Sequence, residues 1–162
     1  IYEIRALLEA DAARACATKA TPDHIARMLT AIDRNEAAFA LGDSGDVLKG
    51  TYDFYETLFE CAQKRVAWGI VKPLNARINH LRAMTISTPA RGMAAIAEMR
   101  RIVAAIDKGD ADAAYAASMD HVRVAAGLAQ VALKTMEEQS AGKATTELPP
   151  LPRRGRGTRL TD

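Results

Sequence analysis

The chain reads as an all-α, antiparallel bundle of about six helices, and three observations carry that expectation. Hydrophobic residues make up 49% of the 162 residues while aromatic residues supply only 5%, and Ala is abundant where Val, Ile and Thr would crowd a sheet-forming chain. Apolar side chains recur at three- and four-residue intervals in six long segments. The connections between these segments are short, which forces successive helices to fold back on one another. A chain of this length buries about 70% of its unfolded surface, enough for one domain.

The first segment, IYEIRALLEADAARACATKA, places Ile1, Ile4, Leu8, Ala12 and Ala15 on one stripe. Asp11 falls among them, and a carboxylate there needs a donor from a facing helix or from a ligand. Arg5 sits at the edge of the stripe, where pairing with Glu9 one turn on predicts a surface contact. Thr21, Pro22 and Asp23 form an N-cap followed by Pro at the first helical position, opening a second helix that runs to about Leu41. It turns Ile25, Met28, Leu29, Ile32 and Phe39 inward and stops at Gly42-Asp43-Ser44-Gly45.

The third helix runs from about Asp46 to Ala62 and puts Val47, Leu48, Thr51, Phe54, Tyr55 and Leu58 on one face. Asp53 lies about 160° from Tyr55 at 100° per residue and faces solvent. After Gln63 and Lys64, a fourth helix carries Val71, Leu74, Ile78 and Leu81 inward, with Arg77 and Arg82 flanking the stripe. Pro73 either kinks this helix or marks its first turn. Pro89 opens a fifth, with Ile96, Met99, Ile102, Val103 and Ile106 inward, and Lys108-Gly109-Asp110 separates it from the sixth, about Asp110 to Gln139. There His121 falls between Ala114, Ala117, Val124 and Leu128 and faces the core. From residue 140 the composition changes to SAGKATTELPPLPRRGRGTRLTD, which predicts an extended, basic, Pro-containing tail.

The formal charge of +2 arises in that tail; without its last fourteen residues the chain holds 18 basic and 19 acidic side chains. The body therefore has no basic field for nucleic acid. No apolar run reaches the roughly 18 residues needed to span a bilayer, so no membrane is expected as a partner. Cys16 and Cys61 lack CxxC spacing, which predicts neither a disulfide framework nor a zinc knuckle, and a reducing cytoplasm as location. No phosphate loop, HExxH or serine elbow occurs.

YEIRALLEADAARACA, TPDHIARMLTAID, GDVLKGTYDFYETLFECA and, most specifically, IAEMRRIVAAIDKGDADAAYAASMDHV occur in an order that resembles the FCD (FadR C-terminal) domain, the effector-binding half of GntR-type transcription regulators. The resemblance covers about residues 2–122. It implies a domain at 1–139, a tail at 140–162, and a winged helix-turn-helix domain upstream and absent from this chain. Metal-binding members gather one Asp and three His on a divalent ion, and those positions fall here on Thr51, Tyr55, Met99 and His121. A hydroxyl, a phenol and a thioether are poor partners for such an ion, so no metal and no cofactor is expected.

The expected function is thus sensing of a small organic effector, a carboxylate, through Arg5, Asp11, Thr51, Tyr55, Arg77, Arg82, Met99 and His121. Arg offers planar two-pronged contact to such an acid. A homodimer formed through an apolar face of the first or fourth helix would reach DNA only through the upstream domain. The alternatives are a helical interaction or dimerisation module without a ligand and, ranked lower, a small metal-independent enzyme. No nucleophile with an oriented base supports the last, so the chain is not expected to be an enzyme.

Overall fold

The structure, a computed structural model, describes the backbone of residues 1–86 and 89–146; the side chains of residues 79–91 and 139–146 and of residue 136 lie outside the described residues. It contains α1 (Tyr2–Ala17), α2 (Pro22–Leu41), α3 (Ser44–Cys61), α4 (Arg65–Ile86), α5 (Pro89–Asp107) and α6 (Ala111–Thr146). The described residues contain no strand. The expected boundaries hold within a few residues except at the end. There α6 continues to Thr146, because Ala141, Lys143 and Ala144 favour a helix and no Pro intervenes before Pro149.

Local chemistry sets each helix end. Thr21 Oγ1 accepts from the His24 backbone N–H, and the His24 ring accepts in turn from the Thr21 N–H at 3.2 Å, closing a capping box. Gly42 ends α2 at φ 70°, a left-handed conformation that Gly adopts without strain, and Gly109 does the same after α5 at φ 69°. Asp43 and Asp110 cap α3 and α6 by accepting from the Asp46 and Ala113 amides, each at 3.0 Å. Pro73 lies inside α4, and the residue one turn earlier is Gly69, with open space beside it.

α1 packs mainly on α6, α2 on α3 and α5, and α5 on α6, with α4 lying across α3 and α6. The core divides along the bundle. One half holds Ala12, Ala13, Met28, Ile32, Leu58, Phe59, Val71, Ile102, Ile106 and Ala114 in continuous apolar contact. Phe59 stacks on Trp68 of α4 with centroids 5.4 Å apart, and Phe54 meets Tyr55 edge to face at 5.2 Å. Surface ion pairs cross the helix seams, among them Arg100 of α5 with Asp33 and Glu36 of α2 at 2.8 and 2.7 Å.

Two expectations fail here. α1 is rotated from its expected phase: Ile1 and Ile4 are 54 and 49% exposed, whereas Arg5 and Glu9 are buried to 1% and 0%. Their pairing is therefore a core contact and not a surface one. Asp11, expected inward, lies on the surface and pairs with Lys64, the residue preceding α4. The cysteines are not lone thiols, since Cys16 and Cys61 are joined by a disulfide with Cα atoms 5.3 Å apart. Because α2 returns between α1 and α3, the ends of those two helices meet, a proximity that spacing along the chain does not reveal.

Candidate functional site

At the other end of the bundle the core opens into a cavity of about 70 Å³. Tyr2 and Arg5 of α1, Asn35 and Phe39 of α2, Thr51 of α3, Ile78 of α4, Gly92 and Met99 of α5 and His121 of α6 contribute to its wall. Every described helix reaches it. The volume is room for a handful of water-sized groups, so a ligand of a few heavy atoms is what fits it without movement of the walls.

Arg5 is the dominant charge. Its Nε donates to Glu9 Oε1 at 2.7 Å and its Nη2 to Glu9 Oε2 at 3.2 Å, a two-pronged pair one helical turn apart. Nη2 also reaches the Tyr55 hydroxyl at 3.5 Å. Burial by itself pushes the guanidinium down, but Glu9 and then Tyr55 push it up by more, so it stays charged. Nη1 is buried and has no hydrogen-bond partner, and a donor left so costs about 1–3 kcal/mol.

The remaining polar groups are held by one bond within α3 and by bonds that cross from helix to helix. Thr51 Oγ donates to the Val47 carbonyl at 2.8 Å and accepts from Asn35 Nδ2 at 3.3 Å. That contact depends on Gly50, where an added Cβ would stand only 3.0 Å from the Ala31 carbonyl oxygen and would collide with the Asn35 side chain. His121 Nδ1 shares a hydrogen bond of 2.7 Å with Glu98 Oε2. Gly92 of α5 leaves room for the Phe39 ring of α2, which packs directly on the α5 backbone where an added Cβ would stand 2.6 Å from Cδ1.

Of the eight residues expected to bind an effector, Arg5, Thr51, Met99 and His121 line this cavity, and Tyr55 stands behind it through Arg5. Asp11 and Arg77 are exposed and do not line it; Asp11 is turned away by the rotation of α1, and Arg77 lies off the inward edge of α4. The Arg82 side chain lies outside the described residues. Sequence reasoning missed Asn35 and Tyr2 as cavity groups, Glu98 as the partner of His121 and Glu9 as the buried partner of Arg5. Asn35 sits three residues after the buried Ile32, and Tyr2 three before Arg5, spacings that place each on its neighbour's face.

The donor set does not fit a divalent ion. Thr51, Tyr55 and Met99 offer neutral oxygens and a thioether, and one His121 nitrogen already faces Glu98. Among the described residues no three His, Cys, Asp or Glu side chains are grouped to hold a metal.

The FCD domain family matches residues 1–124, and the chain belongs to that family. This bears out the resemblance to the effector-binding domain of GntR-type transcription regulators, a family of regulators and not of enzymes. Among solved structures, E. coli McbR/YncC is similar in fold at a TM-score of 0.70 and 15% identity, over 79% of this chain and 65% of that one. The chain thus spans a little under two thirds of that neighbour. No curated protein matches it.

Proposed function

We propose that this domain senses a small organic acid in the cavity between its helices and passes the binding event to a DNA-reading domain elsewhere in a GntR-type regulator. One observation carries the reading: Arg5 is a buried cation on the cavity wall whose Nη1 has no partner. A carboxylate is the chemistry that satisfies it, and Thr51, Asn35 and His121 supply the neutral polar surface around it. The acid binds directly to protein groups without a bridging metal. Allosteric coupling of this kind is worth about 1–3 kcal/mol.

α1 links ligand to partner. Its inner face carries Arg5, and its outer face carries Ile4 and Leu7, both exposed. Leu8 of α1 lines a shallow groove with Val66, Ala67 and Ile70 of α4, rimmed by the polar and charged Asp11, Gln63, Lys64 and Arg65, and an apolar floor with a polar rim is the make-up of an interaction face. A second copy of the chain is its occupant, so a ligand that draws on Arg5 acts on the helix that sets the dimer. The cytoplasm is the compartment in which such a regulator works. Among the described residues no helix is long and apolar enough to cross a membrane.

A thermal-shift screen of small mono- and dicarboxylic acids tests the reading. At least one acid at a hundred times its Kd raises stability by about 2.7 kcal/mol, and a screen without a stabilising acid argues for a ligand-free interaction module. Metal analysis of the purified chain returns less than one ion per chain, and stoichiometric Zn²⁺ or Ni²⁺ would overturn the metal-free site.

A further inference from the structure

Cys16 and Cys61 tie the last turn of α1 to the last residue of α3. Residues farther back along these two helices, Arg5 near the start of α1 and Val47 and Thr51 in the first half of α3, line the cavity. The bond therefore fixes, from the packed end, how two of the cavity walls sit against each other.

The geometry serves both oxidation states. The Cα atoms, 5.3 Å apart, are within bridging range without backbone movement. In the reduced form the Cys61 thiol has an acceptor ready, because its Sγ lies 3.6 Å from the Cys16 carbonyl oxygen. Ala12, Ala13, Ala17 and Ala62 share this part of the core, so small side chains make up much of the surroundings.

Both sulfurs are buried, yet the exposed Thr18 and Lys19 follow directly on the end of α1. Fraying of a single turn uncovers the pair. Lys19 Nζ closes the same corner by donating to the Ala62 carbonyl at 3.2 Å, and an ammonium nearby favours the thiolate once the corner opens.

We propose that Cys16 and Cys61 form a reversible redox latch that sets how firmly α1 is held against α3 and hence how readily the cavity end of α1 opens. Its bearing on ligand binding rests on the reading of the cavity given above. The oxidant is a low-molecular-weight disulfide. One cysteine thiolate attacks a sulfur of that disulfide and displaces one thiol; the second cysteine thiolate attacks the mixed disulfide and displaces the other. Two electrons pass to the small disulfide, and the two protons given up by the cysteines end on the two released thiols. In the cytoplasm proposed above as the compartment of this regulator, a disulfide is of the sensing kind and not a permanent staple.

The test equilibrates the purified chain in mixtures of oxidised and reduced dithiothreitol, counts free thiols by alkylation and mass spectrometry, and follows backbone amide exchange. The latch predicts that both thiols appear and disappear together in a protein that stays helical. Exchange over residues 2–9 should rise at least about tenfold on reduction. Cys16→Ala and Cys61→Ala should show the reduced pattern in any redox buffer; the reduced wild-type chain, which carries no substitution in the core, is the deciding sample. Thiols that never oxidise in the folded protein, loss of helical circular dichroism on reduction, or identical exchange in both states would each overturn the proposal. None of these readouts needs a ligand, so an acid screen without a hit leaves them standing and counts only against the cavity reading.

Discussion

The two halves of this bundle are built from the same helices and obey opposite rules. Around Phe59, Ile102, Ile106 and Ala114 the helices bury apolar side chains against one another and add a disulfide. Around Arg5, Thr51 and His121 they bury charge and hydrogen-bonding groups along the wall of a cavity. The packed half holds the helices together, and the open half draws on that order to hold an unpartnered guanidinium nitrogen away from water. Polar groups so placed cost stability, which is the usual mark of a site kept for a ligand.

The largest effects should come from breaking either half in its own way. Phe59→Ala removes a ring stacked on Trp68 and should lower unfolding free energy by about 3–5 kcal/mol in denaturant titration. Glu9→Ala should cost a similar amount, about 3–5 kcal/mol, by leaving Arg5 as an uncompensated buried cation. The two losses have different origins, and a second substitution separates them. Arg5→Met combined with Glu9→Leu removes the whole pair, and its stability should stay within about 1 kcal/mol of the parent or exceed it, whereas no such rescue exists for Phe59→Ala.

A smaller effect sharpens the boundary between the halves. Gly50→Ala places a Cβ against Asn35 and the Ala31 carbonyl, and thermal unfolding should show a loss of about 1–3 kcal/mol as α2 and α3 separate.

The smallest effect belongs to the surface. Arg34 and Arg27 hold the Asp46 and Glu60 carboxyls below their ordinary values of 3.8 and 4.5, in each case chiefly through a side-chain hydrogen bond. A carboxyl depressed in the folded state adds stability above its unfolded value and loses it as pH falls through the folded one. The thermal midpoint should therefore dip slightly below about pH 4.5, and Arg27→Gln with Arg34→Gln should flatten that dip.

The packed half was legible in the sequence because its residues obey helical periodicity. Met28, Ile32, Phe54, Leu58, Ile96, Ile102, Val103 and Ile106 fall where the pattern puts them. Thr51, Met99 and His121 were also placed inward correctly, since each interrupts a strong apolar stripe. α1 misled for a physical reason: its inner face carries Arg5 and Glu9 between alanines, while Ile4 and Leu7 look outward. Periodicity finds the apolar face of a helix and cannot tell a buried apolar face from an exposed one, so the expected phase of α1 is rotated and Asp11 with it. The disulfide was illegible for another reason. It depends on which helix ends meet, and nothing local to Cys16 or Cys61 records that.

The central claim is that the open half takes a small acid through Arg5, and calorimetric titration of the best stabilising acid into two proteins tests it most directly. The parent should bind with one site per chain, and the stable Arg5→Met/Glu9→Leu protein should lose at least about a hundredfold in affinity, the worth of a buried charge-assisted contact. Equal affinity in the two proteins would contradict the claim.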